Sequence, residues 1–245
     1  MTQKTPTACV LLIGNELLSG KTQDANLKFL AVELGKLGIR LEEARVIRDE
    51  RDAIVAHLNE CRRKFTYVFT TGGIGPTHDD ITAECVAAAF GVDLVVDPEA
   101  KRRLEQRYEL NEARLKMARV PRGATLIDNS VSLAPGFRMG NVFVLAGIPA
   151  IAQAMFAAAA RELETGAEIR SASVDALLKE GDFAESLTRI AEAHPEVEIG
   201  SYPFHRDGVY GATLVVRGTD ERAIAAVLEE IKAAIVAIGG PAALG

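Results

Sequence analysis

The sequence predicts an α/β protein: a doubly wound, mainly parallel sheet over residues 1–167, then a second, smaller α+β domain over residues 168–245. Three observations carry this. Apolar runs at 8–13 and 142–145, and a largely apolar one at 65–69, have the form of strands buried on both faces of a sheet. Segments with helical spacing of apolar residues separate them, the alternation that builds parallel sheets with right-handed crossovers. After residue 167 the order changes to strand, helix, two strands and helix.

Taken in order, the first strand at 8–13 stops at Gly14. Asp24 can cap the next helix, where Leu27, Leu30, Leu34 and Leu37 recur at helical spacing until Gly38. Residues 39–47 read as a second strand. Asp49 or Asp52 starts a helix with Ile54, Val55, Leu58 and Cys61 on one face. The strand at 65–69 enters a glycine-rich loop, a helix at 78–90 ends at Gly91, and 92–96 is a short strand. Pro98 opens a helical stretch to about 118, broken near Asn111. Turn signals fill 121–140, and the strand at 142–145 leads through Gly147 and Pro149 into a helix to about 163. In the second domain, a strand at 169–174 and a helix at 183–193 precede an antiparallel pair, 197–202 and 208–217, joined across His205 to Gly208. Ile224, Val227, Leu228, Ile231 and Ile235 mark the last helix.

Composition narrows the function. Of 245 residues, 48% are hydrophobic, ample for a core. The net charge of −6 argues against nucleic-acid binding, which draws on clustered Lys and Arg. Between Lys101 and Arg122 the basic residues interleave with Glu99, Glu105, Glu109 and Glu112, which favours a solvated helix face over an anion-binding surface. Cys9, Cys61 and Cys85 lack metal-ligand spacing and read as reduced core thiols. With no long apolar stretch to act as a signal or membrane span, a cytoplasmic protein with no membrane partner is expected.

Residues 70–82 are the most informative segment. A strand feeds Gly72-Gly73-Ile74-Gly75, and a helix follows. Glycines let backbone N–H groups approach an anion, and a helix N-terminus favours negative charge. The adjacent Asp79 and Asp80 would repel a phosphate, a conflict that a divalent cation such as Mg²⁺ resolves by bridging carboxylate and phosphate. Asp79 and Asp80 are therefore the candidate metal ligands, and the partner is a phosphorylated small molecule. Thr77-x-x-Asp80 also reads as a capping box, in which Asp80 closes on a helix start. Gly14, Asp49, Thr71 and Gly147 all leave strand carboxyl ends, where ligands bind in open α/β sheets. Glu16 can reach the same pocket or sit exposed on its loop. His78 reads equally as a phosphate contact or a solvated histidine. His57, His194 and His205 read as structural.

These residues resemble a known family. The segments 14–20, 24–26, 71–82 and 134–137 are similar to the molybdopterin-binding domain of the MoaB and MogA type, and most of all to the N-terminal part of CinA-type proteins. Residues 111–137 also resemble the corresponding domain of eukaryotic FAD synthases, and 199–203 the KH-like second domain of CinA. The resemblance implies catalytic roles for Asp80 and Asp49. It implies ligand binding by Gly14, Asn15, Glu16, Thr71, Gly72, Gly73, Gly75, Pro76, Thr82, Pro135, Gly136 and Gly147. It further implies metal-dependent hydrolysis of a nucleotide pyrophosphate such as ADP-ribose or FAD, and a homodimer or larger oligomer. The alternatives are molybdopterin binding or adenylylation in cofactor synthesis, or non-catalytic binding of a nucleotide or pterin. Two departures stand out. The CinA turn Pro-Gly-(Val/Ile)-Pro-Ser-Glu reads here 146–151 with Ile151 in place of the glutamate. The deamidase domain of long CinA proteins is also missing from the sequence, so that activity is not expected.

Overall fold

The computed structural model describes residues 5–206, 208–240 and 242–244. They divide into two compact units. The first runs to Gly166 except for residues 36–38, and the second takes those three and resumes at Ala167.

The first unit is built on a sheet whose strand order is β2-β1-β3-β8-β7-β6 among the described residues. Here β1 is Thr7–Ile13, β2 Arg40–Ile47, β3 Tyr67–Thr71, β6 Thr125–Ile127, β7 Gly136–Met139 and β8 Val142–Leu145. The pairs β1·β2, β1·β3 and β3·β8 are parallel, so the expected mainly parallel sheet is present. The last two strands turn back and pair antiparallel. Between β3 and β6 the chain makes helix α4 (Thr82–Phe90) and an excursion. The excursion holds a small antiparallel pair, β4 (Leu94–Val96) with β5 (Arg119–Pro121), and two helices, α5 (Pro98–Glu105) and α6 (Glu112–Lys116). The long helical stretch expected from residue 98 is thus two helices. Asp97 caps the first through Glu99 and Ala100 N–H, and Asn111 caps the second through Arg114 N–H.

Alternation along the strands sends side chains to two faces. Cys9, Leu11, Ile13, Val68, Val142 and Val144 meet Ile54, Leu58 and Cys61 of α3 (Arg51–Lys64) and Cys85, Val86 and Ala89 of α4. The opposite face is aromatic. The Phe69 and Phe143 rings stack at 5.1 Å, and Phe156 of α7 (Pro149–Ala159) lies 5.7 Å from Phe69. Phe29 of α2 (Asn26–Lys36) meets Phe156 edge-on at 5.6 Å. The three cysteines are free and buried, as expected of core thiols; burial pushes the Cys85 thiol up to about 11.

One helix start moves, and two cap readings change. Helix α4 starts at Thr82, not at residue 78, because residues 77–80 close a turn of their own. Its N-cap is Ile81, so Asp80 does not cap this helix: the Thr77 N–H to Asp80 bond of the capping-box reading forms, but in a turn ahead of the helix. Asp49 and Asp52 do not cap α3 either; its N-cap is Glu50, which makes no side-chain cap bond. Asp24 does bond Leu27 N–H at 2.8 Å, as expected.

The second unit has strands in the order β10-β11-β9-β12, with β9 Arg170–Ala176, β10 Glu198–Arg206, β11 Val209–Gly218 and β12 Ala242–Leu244. The pairing is antiparallel throughout. Val174, Ala212, Leu214 and Val216 pack against Phe183 and Ile190 of α8 (Glu180–Ala193) and Ile224, Val227 and Ile231 of α9 (Glu221–Ala237). Of the expected turn at 205–208, Asp207 lies outside the described residues.

Phe69→Ala should destabilise the first unit by about 3–5 kcal/mol, because it empties the centre of the aromatic face. Chemical denaturation measures this; a loss below about 1 kcal/mol would mean that the stack contributes little.

Candidate functional site

The order β2-β1-β3-β8 places a topological switch between β1 and β3, where the crossovers leave in opposite directions. Gly14 follows β1, Gly72 follows β3, and residues 146–147 follow β8. These three strand ends open a cleft of about 660 Å³.

The glycine loop is shaped by close approach. Gly72 (φ 101°) sits where any Cβ would run into the carbonyl of Ile13, and Gly73 (φ 68°) where it would run into the Thr82 hydroxyl. Both positions exclude side chains. Thr82, fully buried, donates its hydroxyl to the Gly72 carbonyl at 2.9 Å, and its N–H bonds the Gly73 carbonyl at 2.9 Å. The first residue of α4 therefore latches the loop onto the helix.

The acids come next. Asp80 accepts the Thr77 N–H at 2.8 Å, and Thr77 Oγ1 lies 2.5 Å from both Asp80 Oδ2 and Asp79 Oδ1. One hydroxyl proton serves two carboxylates, so the pair is short of donors. The Thr77 hydroxyl, with smaller help from His78 and Lys116, holds the Asp79 carboxyl below its ordinary value. Asp49 accepts Asn15 N–H at 2.8 Å. Burial pushes its carboxyl up, and the negative charges of Glu16 and Asp79 add to this against the Asn15 bond.

Of the residues singled out in sequence, Gly14, Glu16, Asp49, Gly72, Gly73, Gly75, Pro76, Asp79, Asp80, Pro135 and Gly147 line this cleft. The others stand behind it. Thr71 ends β3 buried, Thr82 is the latch, Gly136 lies buried at the start of β7, and Asn15 braces Asp49. His78 is exposed beside Asp79, while His57, His194 and His205 bond Arg45, bond Glu196 with Glu230, and stack on Tyr210, respectively.

Much of the remaining wall went unread in the sequence. Ile13, Ile148, Pro149, Ile151 and Met155 give apolar surface, Tyr108, Arg114 and Met117 enter from the excursion, and Ser132 from the loop between β6 and β7. The basic residues there are therefore not all a solvated face: Arg114 lines the cleft, and Lys116 donates to the Thr77 carbonyl at 2.6 Å, pinning the acidic turn. Nearly buried Asn129 organises the loop of Ser132 and Pro135. Its Oδ1 accepts Val131 N–H at 2.9 Å, and its Nδ2 donates to Ser132 Oγ at 2.6 Å and the Ala134 carbonyl at 2.9 Å. That bracing holds Leu133 at φ 63°, a left-handed conformation that only surrounding structure sustains. An asparagine between turn residues was the available signal for it.

The donor set bears on a metal. Among the described residues no cluster of three or more His, Cys, Asp or Glu converges to enclose one. Asp79 and Asp80 fit a hard cation that completes its shell with water and ligand phosphate oxygens, as Mg²⁺ does.

The raised Asp49 carboxyl has a pH consequence. Between the ordinary carboxylate range and the raised value, the folded chain binds more protons than the unfolded one. Stability from this group is present below that range and lost as pH rises through the folded value. Asp49→Asn keeps an acceptor for Asn15 and removes the charge, so at about pH 7 the variant should melt above the parent, with the gap closing near about pH 4. Melting curves at both pH values decide it; a variant that melts lower at neutral pH would overturn the burial argument.

Comparison with known proteins agrees with this geometry. Residues 9–165 match the family model described as "Probable molybdopterin binding domain", and 168–238 that of "FAD synthase, middle domain". A protein of Archaeoglobus fulgidus is 33% identical over 79% of this chain and 84% of its own length. A probable FAD synthase of Caenorhabditis elegans is 31% identical over 92% of this chain, which spans only 49% of that enzyme. The crystal structure of the CinA protein of Thermoplasma acidophilum, whose function is described as unknown, is 33% identical with a TM-score of 0.61, over 64% of this chain and 98% of its own. With its glycine loop, strand order and matched sequence in accord, the chain belongs to the molybdopterin-binding domain family of the MoaB and MogA type.

Proposed function

We propose that the cleft binds a phosphorylated pterin or flavin-type nucleotide together with a divalent cation, in a role tied to cofactor synthesis. The observation that carries this is the combination of surfaces in one cleft. A side-chain-free glycine loop at a strand end offers backbone to a phosphate, and a donor-poor acid pair offers oxygens to a cation. Ile148, Pro149, Ile151 and Met155 offer apolar surface to a flat heterocycle. The two family matches, to a molybdopterin-binding domain and to the middle domain of FAD synthase, support the same ligand class.

Asp79 and Asp80 would hold the cation, which supplies charge neutralisation at the phosphate when bound. The protein's own part is to position the phosphate on the 72–75 loop and to keep the acidic turn in place through Thr77 and Lys116. A second reading, hydrolysis of the ligand's pyrophosphate, is favoured by one observation. Asp49 is a cleft carboxylate whose proton affinity is raised by burial, the property of a group that takes a proton from water. Incubation of FAD or ADP-ribose with the protein and Mg²⁺, followed by mass spectrometry, separates the two: unchanged ligand supports binding alone, and mononucleotide products support hydrolysis.

The binding reading is tested by calorimetry with FAD and ADP-ribose. Affinity should rise at least tenfold in Mg²⁺ over EDTA. Asp80→Asn keeps an acceptor for Thr77 N–H and should cost at most about 1 kcal/mol of stability. It should also bring the Mg²⁺-supported affinity down to the EDTA level. Equal affinity in EDTA and Mg²⁺ would rule out the bridging cation. A variant that melts far below the parent but binds normally while folded would make Asp80 a purely structural residue.

A further inference from the structure

We infer that Arg114, at the third position of α6, contacts the phosphate of the bound ligand directly, as an anion-binding residue that the excursion adds to the glycine loop. This rests on the ligand-binding reading above.

The charge of the cleft poses the problem. Among the described residues that line it, Glu16, Asp49, Asp79 and Asp80 are carboxylates, and Arg114 is the one cation. Most neighbouring basic groups are already engaged, and Arg119 lies outside the lining of this cleft. Arg102 and Arg103 both bond Glu99, Arg103 also bonds Asp128, and Arg107 bonds the Val131 carbonyl. Lys116 has placed its ammonium on the Thr77 carbonyl. Arg114 differs. Its Nη1 donates to the neutral Glu109 carbonyl at 2.7 Å, while Nε and Nη2 have no hydrogen-bond partner among the described residues, nor does any carboxylate there pair with it.

The guanidinium is nonetheless held. Its carbon sits 5.6 Å from the Tyr108 ring centre, with Arg107 also on that ring, and Asn111 fixes the helix start by accepting Arg114 N–H at 2.9 Å. A positioned guanidinium with unused donors, on the wall of an acidic cleft, matches the fork that phosphate oxygens accept. A guanidinium that only offset the cleft's negative charge would need no such orientation.

The test uses two ligand pairs that differ in phosphate, FAD and FMN against riboflavin, and ADP-ribose against adenosine. Binding is read with Mg²⁺ present, by flavin fluorescence or calorimetry. Arg114→Gln should weaken the phosphorylated member of a bound pair at least tenfold, change the phosphate-free member less than twofold, and leave the melting temperature unchanged. Arg114→Lys restores charge without the fork and should recover only part of the loss. Undiminished binding of the phosphorylated ligand by Arg114→Gln, or equal weakening of both members, would each overturn direct contact while leaving the ligand-binding reading intact. Full recovery by lysine would overturn the forked contact in favour of a point charge. A parent protein that binds neither pair would instead overturn that reading, and this inference with it.

Discussion

The site depends on how closely the backbones of three strand ends approach one another. A Cβ on Gly72 would enter the Ile13 carbonyl, and one on Gly147 would come within 3.4 Å of Gly72 Cα. The parallel register of β1, β3 and β8 makes that approach. Once β3 ends there, the chain must leave through residues without side chains, and the Thr82 hydroxyl can then reach back to the Gly72 carbonyl. The start of α4, the turn at Thr77 and the place of both aspartates follow from that latch. Glycine here makes a surface of bare backbone, the surface a phosphate needs.

That geometry carries an electrostatic cost. Four carboxylates share one cleft, and the folded protein tolerates them through a few donors. Thr77 serves Asp79 and Asp80, Asn15 N–H serves Asp49, and Lys116 holds the turn by its carbonyl. The Asp49 carboxyl still sits above its ordinary value, because burial and like charge outweigh one backbone bond. A cation bound with an anionic ligand, as proposed above, would relieve this repulsion.

The apolar side of the cleft shows how this chain departs from the CinA-type pattern. Ile151 stands where that turn carries a glutamate, and it lines the cleft with Ile148, Pro149 and Met155. Met155 and Phe156 belong to the same helix, α7; Met155 reaches the cleft while Phe156 packs on the Phe69 and Phe143 stack. The cleft wall and the aromatic core are thus two faces of one helix.

The sequence by itself determined the sheet and the loop. Apolar runs of strand length, helical spacing between them and a glycine cluster at a strand end are local signals, because each reports the burial or the backbone freedom of its own segment. They placed Gly14, Gly72, Gly147 and Asp49 at the carboxyl ends of the strands, with Asp79 and Asp80 on the loop beside them, where the cleft lies. Tertiary structure decided what each acid does. Asp49 read as a helix cap from its position before a helix, yet it closes on Asn15, thirty-four residues away, whereas Asp80 makes its local bond to Thr77 but ahead of the helix rather than on it. It also decided which basic residues matter. Between residues 101 and 122 the charges alternate along the chain. Arg103 meets Glu99 one helical turn away, a local pairing, but only the fold of the excursion brings Arg114 to the cleft and Lys116 to the Thr77 carbonyl. Local pattern records whether a residue is buried. Which partner meets it depends on chain paths that cross from distant parts of the sequence.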